Sequence, residues 1–168
     1  DIPADAFADL PQTSQVIAPV YSPFSAEALA RTWPDPRFRL PVVALTNSGK
    51  RSAPNAARLE RLGFPQTQFR AVVSSGELAR REIEAQLADG RLADGALVLI
   101  LARDGDRSLV EGLPLRPTTL TDSEAAQAAL VLIAGAEPER ITRDRYRAEL
   151  QPLARRGVPA LSANPDTV

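Results

Sequence analysis

Cysteine, histidine and methionine are all missing from this chain of 168 residues. The first absence excludes disulfides and thiolate chemistry, and the second excludes both a Ser-His-Asp triad and an imidazole-ligated metal within the chain. Any metal has to sit on oxygen ligands, which suits magnesium. Lysine is nearly absent as well: Lys+Arg total 20, and Lys50 is the single lysine. Asp+Glu total 21, so the formal net charge is -1, and a nucleic-acid partner held by bulk electrostatics is not expected. No apolar run approaches the roughly 20 residues that cross a bilayer, and no basic segment leads into an apolar one at the start, so no membrane partner and a cytoplasmic location are expected. The missing methionine implies that Asp1 is not the translation start, and the chain reads as a fragment or a shortened relative of a longer protein.

What is present is a soluble globular composition, 44% hydrophobic and 24% charged, long enough for one sizeable core or two small lobes. The most informative stretch is Pro41 to Asn55. Four of the five residues from Val42 to Thr46 favour a buried strand, Asn47-Ser48-Gly49 is a turn, and Ser52 followed by Pro54 fits a helix cap and first turn. The amide N–H groups of such a first turn carry partial positive charge and would face an anion near Thr46 and Ser48.

The rest of the chain alternates strands and helices. Pro3, Pro11, Pro19 and Pro23 leave room only for short strands at residues 6–10 and 15–20, and a helix is expected from Ser25 to Trp33. Ala53, Ala56, Ala57, Leu59 and Leu62 fit a helix ended by Gly63, and residues 69–73 form a strand. Ser74 and Glu77 make a capping-box pattern, with Leu78, Ile83 and Leu87 on the apolar face of the following helix. The continuous apolar runs Ala96 to Ala102 and Leu130 to Ala134 are strands covered on both faces, with short helices expected at residues 108–113 and 123–129 between them. Thr142 caps a helix reaching about Arg155, and Val158 to Ser162 is the last strand. Such alternation implies βαβ units and a mainly parallel sheet.

Four landmarks together resemble one family. They are the Thr46-Asn47 strand end running into a helix, Leu62-Gly63-Phe64-Pro65, the strand Ala71-Val72-Val73-Ser74-Ser75-Gly76-Glu77, and Ala163-Asn164-Pro165-Asp166. Their order is similar to that of the haloacid dehalogenase-like hydrolases, in particular the capped phosphatases of subclass IIA. The resemblance implies an α/β fold with a Rossmann-like, mainly parallel core fragment, residues 1–77, and an α/β cap portion, residues 78–168, with the C-terminal core missing. It also implies magnesium as cofactor and a small phosphorylated metabolite as substrate.

By the same resemblance an Asp at the end of the first strand attacks phosphorus and ligates magnesium, and Asp9, after Ala6-Phe7-Ala8, is the candidate. Aligning the turn Gln15-Val16-Ile17 instead puts Gln12 at that place, and a plain loop carboxylate is the alternative reading of Asp9. The proton-shuttling Asp two residues on would fall at Pro11, which cannot transfer a proton. Thr46 would give its hydroxyl to the phosphate, with Asn47 positioning the loop and Ser48 joining the anion site. Asn164 and Asp166 would face the substrate from the cap. Each has a bland counterpart, since Thr ends many strands and Asn-Ser-Gly and Asn-Pro are ordinary turns. For Lys50 a solvated or packing cation is favoured, for Arg103-Asp104-Gly105-Asp106 a tight polar turn, and for Arg140, Arg143, Arg145 and Arg147 a solvated surface.

The expectation is therefore a magnesium-dependent phosphatase whose competence in this chain alone is doubtful. The alternative is a non-catalytic module of the same fold that binds a phosphorylated ligand or a protein. A fragment ending at the Asn-Pro-Asp segment is expected to self-associate or to be covered by additional polypeptide.

Overall fold

The run Leu97–Leu101 is apolar at every position, and the reason is its place at the heart of a parallel sheet covered on both sides. The computed structural model describes residues 42–163. They divide into two units, residues 42–46 with 52–74, and residues 47–51 with 75–163. The helix expected at Ser25 to Trp33 and the strands expected at 6–10 and 15–20 lie outside the described residues.

In the first unit strand β1, Val42–Thr46, pairs in parallel with β2, Phe69–Ser74, and Thr46 stands opposite Ser74. Helix α1, Ser52–Arg61, connects them and packs against β2. Pro54 falls in its first turn, where a missing N–H costs nothing. Gly63 follows the helix with φ of 89°, a left-handed turn for which glycine is suited. The face expected to be apolar is only partly so: Ala53 and Leu62 are exposed, and no residue of α1 is fully buried. Val73, packed by Val43 and Ala71, forms the small core of this unit.

The second unit is a four-stranded parallel sheet in the order β4-β3-β5-β6, made of Arg116–Thr118, Leu97–Leu101, Leu130–Ile133 and Ala160–Ser162. Successive side chains of a strand point to opposite faces. Val98 and Ile100 with Leu130 and Leu132 therefore face one way, where Ala79 and Ile83 of helix α2, Ser75–Ala88, cover them. Leu99, Leu101 and Val131 face the other way, under Leu153 of helix α3, Arg143–Arg155. Thr142 caps α3 as expected, its hydroxyl accepting the Arg145 N–H at 3.3 Å.

Several local expectations need correction. Leu78 is not on the buried face of α2. It lies about 140° round the helix from Ile83 and is 53% exposed, while Gly76, Ala79, Arg80 and Ile83 make the buried stripe. Residues 108–113 form turns, with Gly112 at φ of 74°, and residues 123–129 hold only the single 3₁₀ turn Ala125–Gln127. In both places an arginine from elsewhere bonds the backbone carbonyls of the connector. Arg80 donates to Leu109 O at 3.2 Å and Glu111 O at 2.7 Å, and Arg156 donates to Ala126 O and, at 2.9 Å, to Ala128 O. Strand β4 was not expected from sequence at all. Arg103-Asp104-Gly105 is a tight turn, as read, with Asp104 at φ of 55°.

Candidate functional site

Thr46 is the last residue of β1, at the carboxyl end of a parallel strand, the end where open α/β sheets hold their ligands. Asn47 and Ser48 follow in the turn, and that turn is fixed tightly within the second unit. The Ser48 carbonyl accepts the Gly76 N–H at 3.0 Å, and the Ser48 hydroxyl accepts the Lys50 N–H at 3.2 Å. Arg51 closes the turn with a two-pronged ion pair, its Nε reaching Glu77 Oε2 at 3.1 Å and its Nη2 reaching Glu77 Oε1 at 2.7 Å. The Glu77 hydrogen bond and charge raise the Arg51 pKa above the usual guanidinium value.

Two glycines make this packing possible. A Cβ on Gly49 would lie 2.1 Å from Ala134 O, and one on Gly76 would lie 2.3 Å from Gly49 O. These are backbone atoms with nowhere to go, so neither position accepts a side chain without moving the turn. Sequence reasoning missed the role of Arg51 and the two glycines, and it assigned Glu77 to a capping box. The signal available was a Gly at each of two strand-to-helix turns, Asn47-Ser48-Gly49 and Ser74-Ser75-Gly76.

The other candidates fall in different places. Lys50 is exposed, as are Arg140, Arg143, Arg145 and Arg147, matching the solvated readings. Asp9, its alternative Gln12, and the cap candidates Asn164 and Asp166 lie outside the described residues. Among the described residues no three acidic side chains gather closely enough to hold a metal ion. The one named magnesium ligand, Asp9, is not among them, so the described residues alone do not make up its site.

Two further carboxylates are tightly held in the second unit. Asp122 accepts the Thr119 N–H at 2.7 Å, the Thr119 hydroxyl at 3.0 Å and the Thr118 hydroxyl at 3.1 Å, and these bonds hold its carboxyl below the ordinary range. Glu137 accepts the Asp104 N–H at 3.0 Å and pairs with Arg140 at 3.1 Å, which lowers it likewise. Asp122 and Glu137 organise turns at the sheet, and neither belongs to the Thr46 segment. No helix among the described residues is long and apolar enough to cross a membrane.

No protein-family model matches the chain, and no curated protein sequence does so either. Solved structures do match. A haloacid dehalogenase-like hydrolase from Brucella suis aligns with 84% of this chain at 25% identity and a TM-score of 0.61. A glycerol phosphate phosphatase from Mycobacterium tuberculosis, in complex with calcium, aligns with 82% at 28% identity and a TM-score of 0.54. A possible sugar phosphatase of the same superfamily from Cytophaga hutchinsonii shares the fold at 16% identity and a TM-score of 0.51. The chain spans 46%, 37% and 45% of these proteins respectively, less than half of each. The chain is thus similar in fold, over less than half the length of each, to the haloacid dehalogenase-like hydrolases.

Proposed function

We propose that Thr46, Asn47 and Ser48 form the phosphate-binding loop of a capped, subclass IIA phosphatase acting on a small phosphorylated metabolite. The observation carrying this reading is the position of Thr46 at the carboxyl end of a parallel strand, followed by an Asn-Ser-Gly turn and the first turn of α1. The hydroxyl and the first-turn N–H groups are both donors suited to a phosphoryl oxygen, and neither carries a charge that must be desolvated. The likeness to two phosphatase structures supports the same substrate class.

In this reading residues 1–77 supply the core portion and residues 78–168 the cap, with Asn164 and Asp166 on the substrate side. Asp9 is the nucleophile: its carboxylate oxygen bonds to phosphorus as the bond to the leaving alkoxide breaks, the alkoxide takes a proton from solvent, and water then hydrolyses the aspartyl phosphate to release phosphate and restore the carboxylate. Magnesium is the cofactor that the resemblance implies.

Pro11 favours a second reading, because it stands where the proton-transferring carboxylate belongs. A chain without that shuttle is a binding module for the same phosphorylated ligand, and both readings share the loop. Calorimetric titration with inorganic phosphate tests it. Saturable binding that Thr46→Val and Ser48→Ala each weaken about tenfold or more is expected, the loss of a hydrogen bond to a charged group. Absence of binding, or binding indifferent to both variants, contradicts the assignment.

A further inference from the structure

The turn that carries Asn47 and Ser48 is held by side chains that take no part in the chemistry above. Glu77, only 4% exposed, receives both prongs of the Arg51 guanidinium, at 3.1 and 2.7 Å. A carboxylate and guanidinium joined by two parallel bonds fix an angle as well as a distance, which a single lysine bond would not. The Gly76 N–H reaches the Ser48 carbonyl at 3.0 Å from the same first turn of α2 that carries Glu77. Gly49 rests on Ala134, and Gly76 rests on Gly49 and Lys50, so backbone lies against backbone at each contact.

We propose that Arg51 and Glu77, seated by Gly49 and Gly76, are positioning residues that fix how Asn47 and Ser48 are presented to a phosphoryl group. The inference rests on the phosphate-binding reading of that loop. A turn ordered before its ligand arrives loses less entropy on binding and keeps its donors aimed. The ion pair thus acts on affinity through the turn, without touching the ligand.

The test uses the full 168-residue chain, labelled with nitrogen-15, and inorganic phosphate as the probe. Glu77→Gln keeps the side-chain shape and removes its charge. Amide exchange at Gly76 and Lys50 should quicken about tenfold or more while Leu97–Leu101 stays protected, and the phosphate Kd should rise about tenfold or more. Arg91→Gln serves as control, removing the exposed pairs with Glu82 and Asp89 just past the other end of α2, and should alter neither readout. An unchanged Kd beside quickened exchange overturns the inference, and so does unchanged exchange. Should Glu77→Gln also strip protection from Leu97–Leu101, Arg51→Lys, which keeps the charge and loses the fork, is judged by the same two results. Failure of the unmodified chain to bind phosphate at all removes the loop assignment and the positioning role with it. Binding that the variants leave unchanged removes the positioning role alone.

Discussion

Replacing Leu99 by alanine takes a fully buried side chain, 0% exposed, out of the middle of β3. The strand is paired on both edges there, Leu99 standing opposite Thr118 of β4 and Val131 of β5. Three carbon groups leave the core, and at about 0.8 kcal/mol each the transfer loss alone is about 2.4 kcal/mol. A strand pinned on both sides cannot collapse into the gap, so a cavity cost adds to this, and a total of about 3–5 kcal/mol is expected. Urea unfolding followed by circular dichroism measures it, with the m-value unchanged if only stability has moved. Leu78→Ala, at a leucine 53% exposed, should by contrast stay within about 0.5 kcal/mol. A Leu99→Ala loss below about 1 kcal/mol at constant m would mean that the face beneath α3 is open to water, and the doubly covered sheet would be wrong.

Thr142→Ala should cost about 1 kcal/mol by orphaning the Arg145 N–H at the start of α3, and an unchanged urea midpoint would contradict the cap. Asp122, depressed chiefly by the Thr119 N–H, and Glu137, depressed chiefly by the Asp104 N–H, contribute stability above their unfolded pKa values and lose it as pH falls through the folded ones. Tm should therefore drop as pH goes below about 4, less steeply in Asp122→Asn; equal slopes would count against these bonds. With magnesium the chain should hydrolyse p-nitrophenyl phosphate far more slowly than about 1 per second, because Pro11 leaves no carboxylate there to take a proton from the water that hydrolyses the aspartyl phosphate, and a chelator should change little. Metal-dependent turnover at that rate or above would show that another group does the work.

The sequence made the strongly apolar elements legible. Ala96 to Ala102 and Leu130 to Ala134 announced strands buried on both faces because no polar residue interrupts either run, and β3 and β5 lie there. The Thr142 cap and the left-handed Gly63 were readable because their chemistry is local. Strand β4 was hidden because Arg116-Pro117-Thr118 is short, polar and holds a proline, which an edge strand tolerates and a central one does not. The connectors at 108–113 and 123–129 were misread as helices from local spacing, which does not show that Arg80 and Arg156, 29 and 28 residues away in their bonds to Leu109 and Ala128, anchor them through backbone carbonyls. At the candidate site the Thr46-Asn47-Ser48 pattern was visible, but its anchorage was not. Arg51 and Glu77 are 26 residues apart, and a capping box accounted for Glu77 from local spacing alone.

The central claim is an anion seat at Thr46 to Ser48, and a crystal soaked in phosphate or sulfate tests it most directly. The account predicts an ordered anion within hydrogen-bonding distance of the Thr46 and Ser48 hydroxyls and the neighbouring backbone N–H groups. An ordered anion found only elsewhere, with the Thr46 hydroxyl turned away against protein, would contradict it.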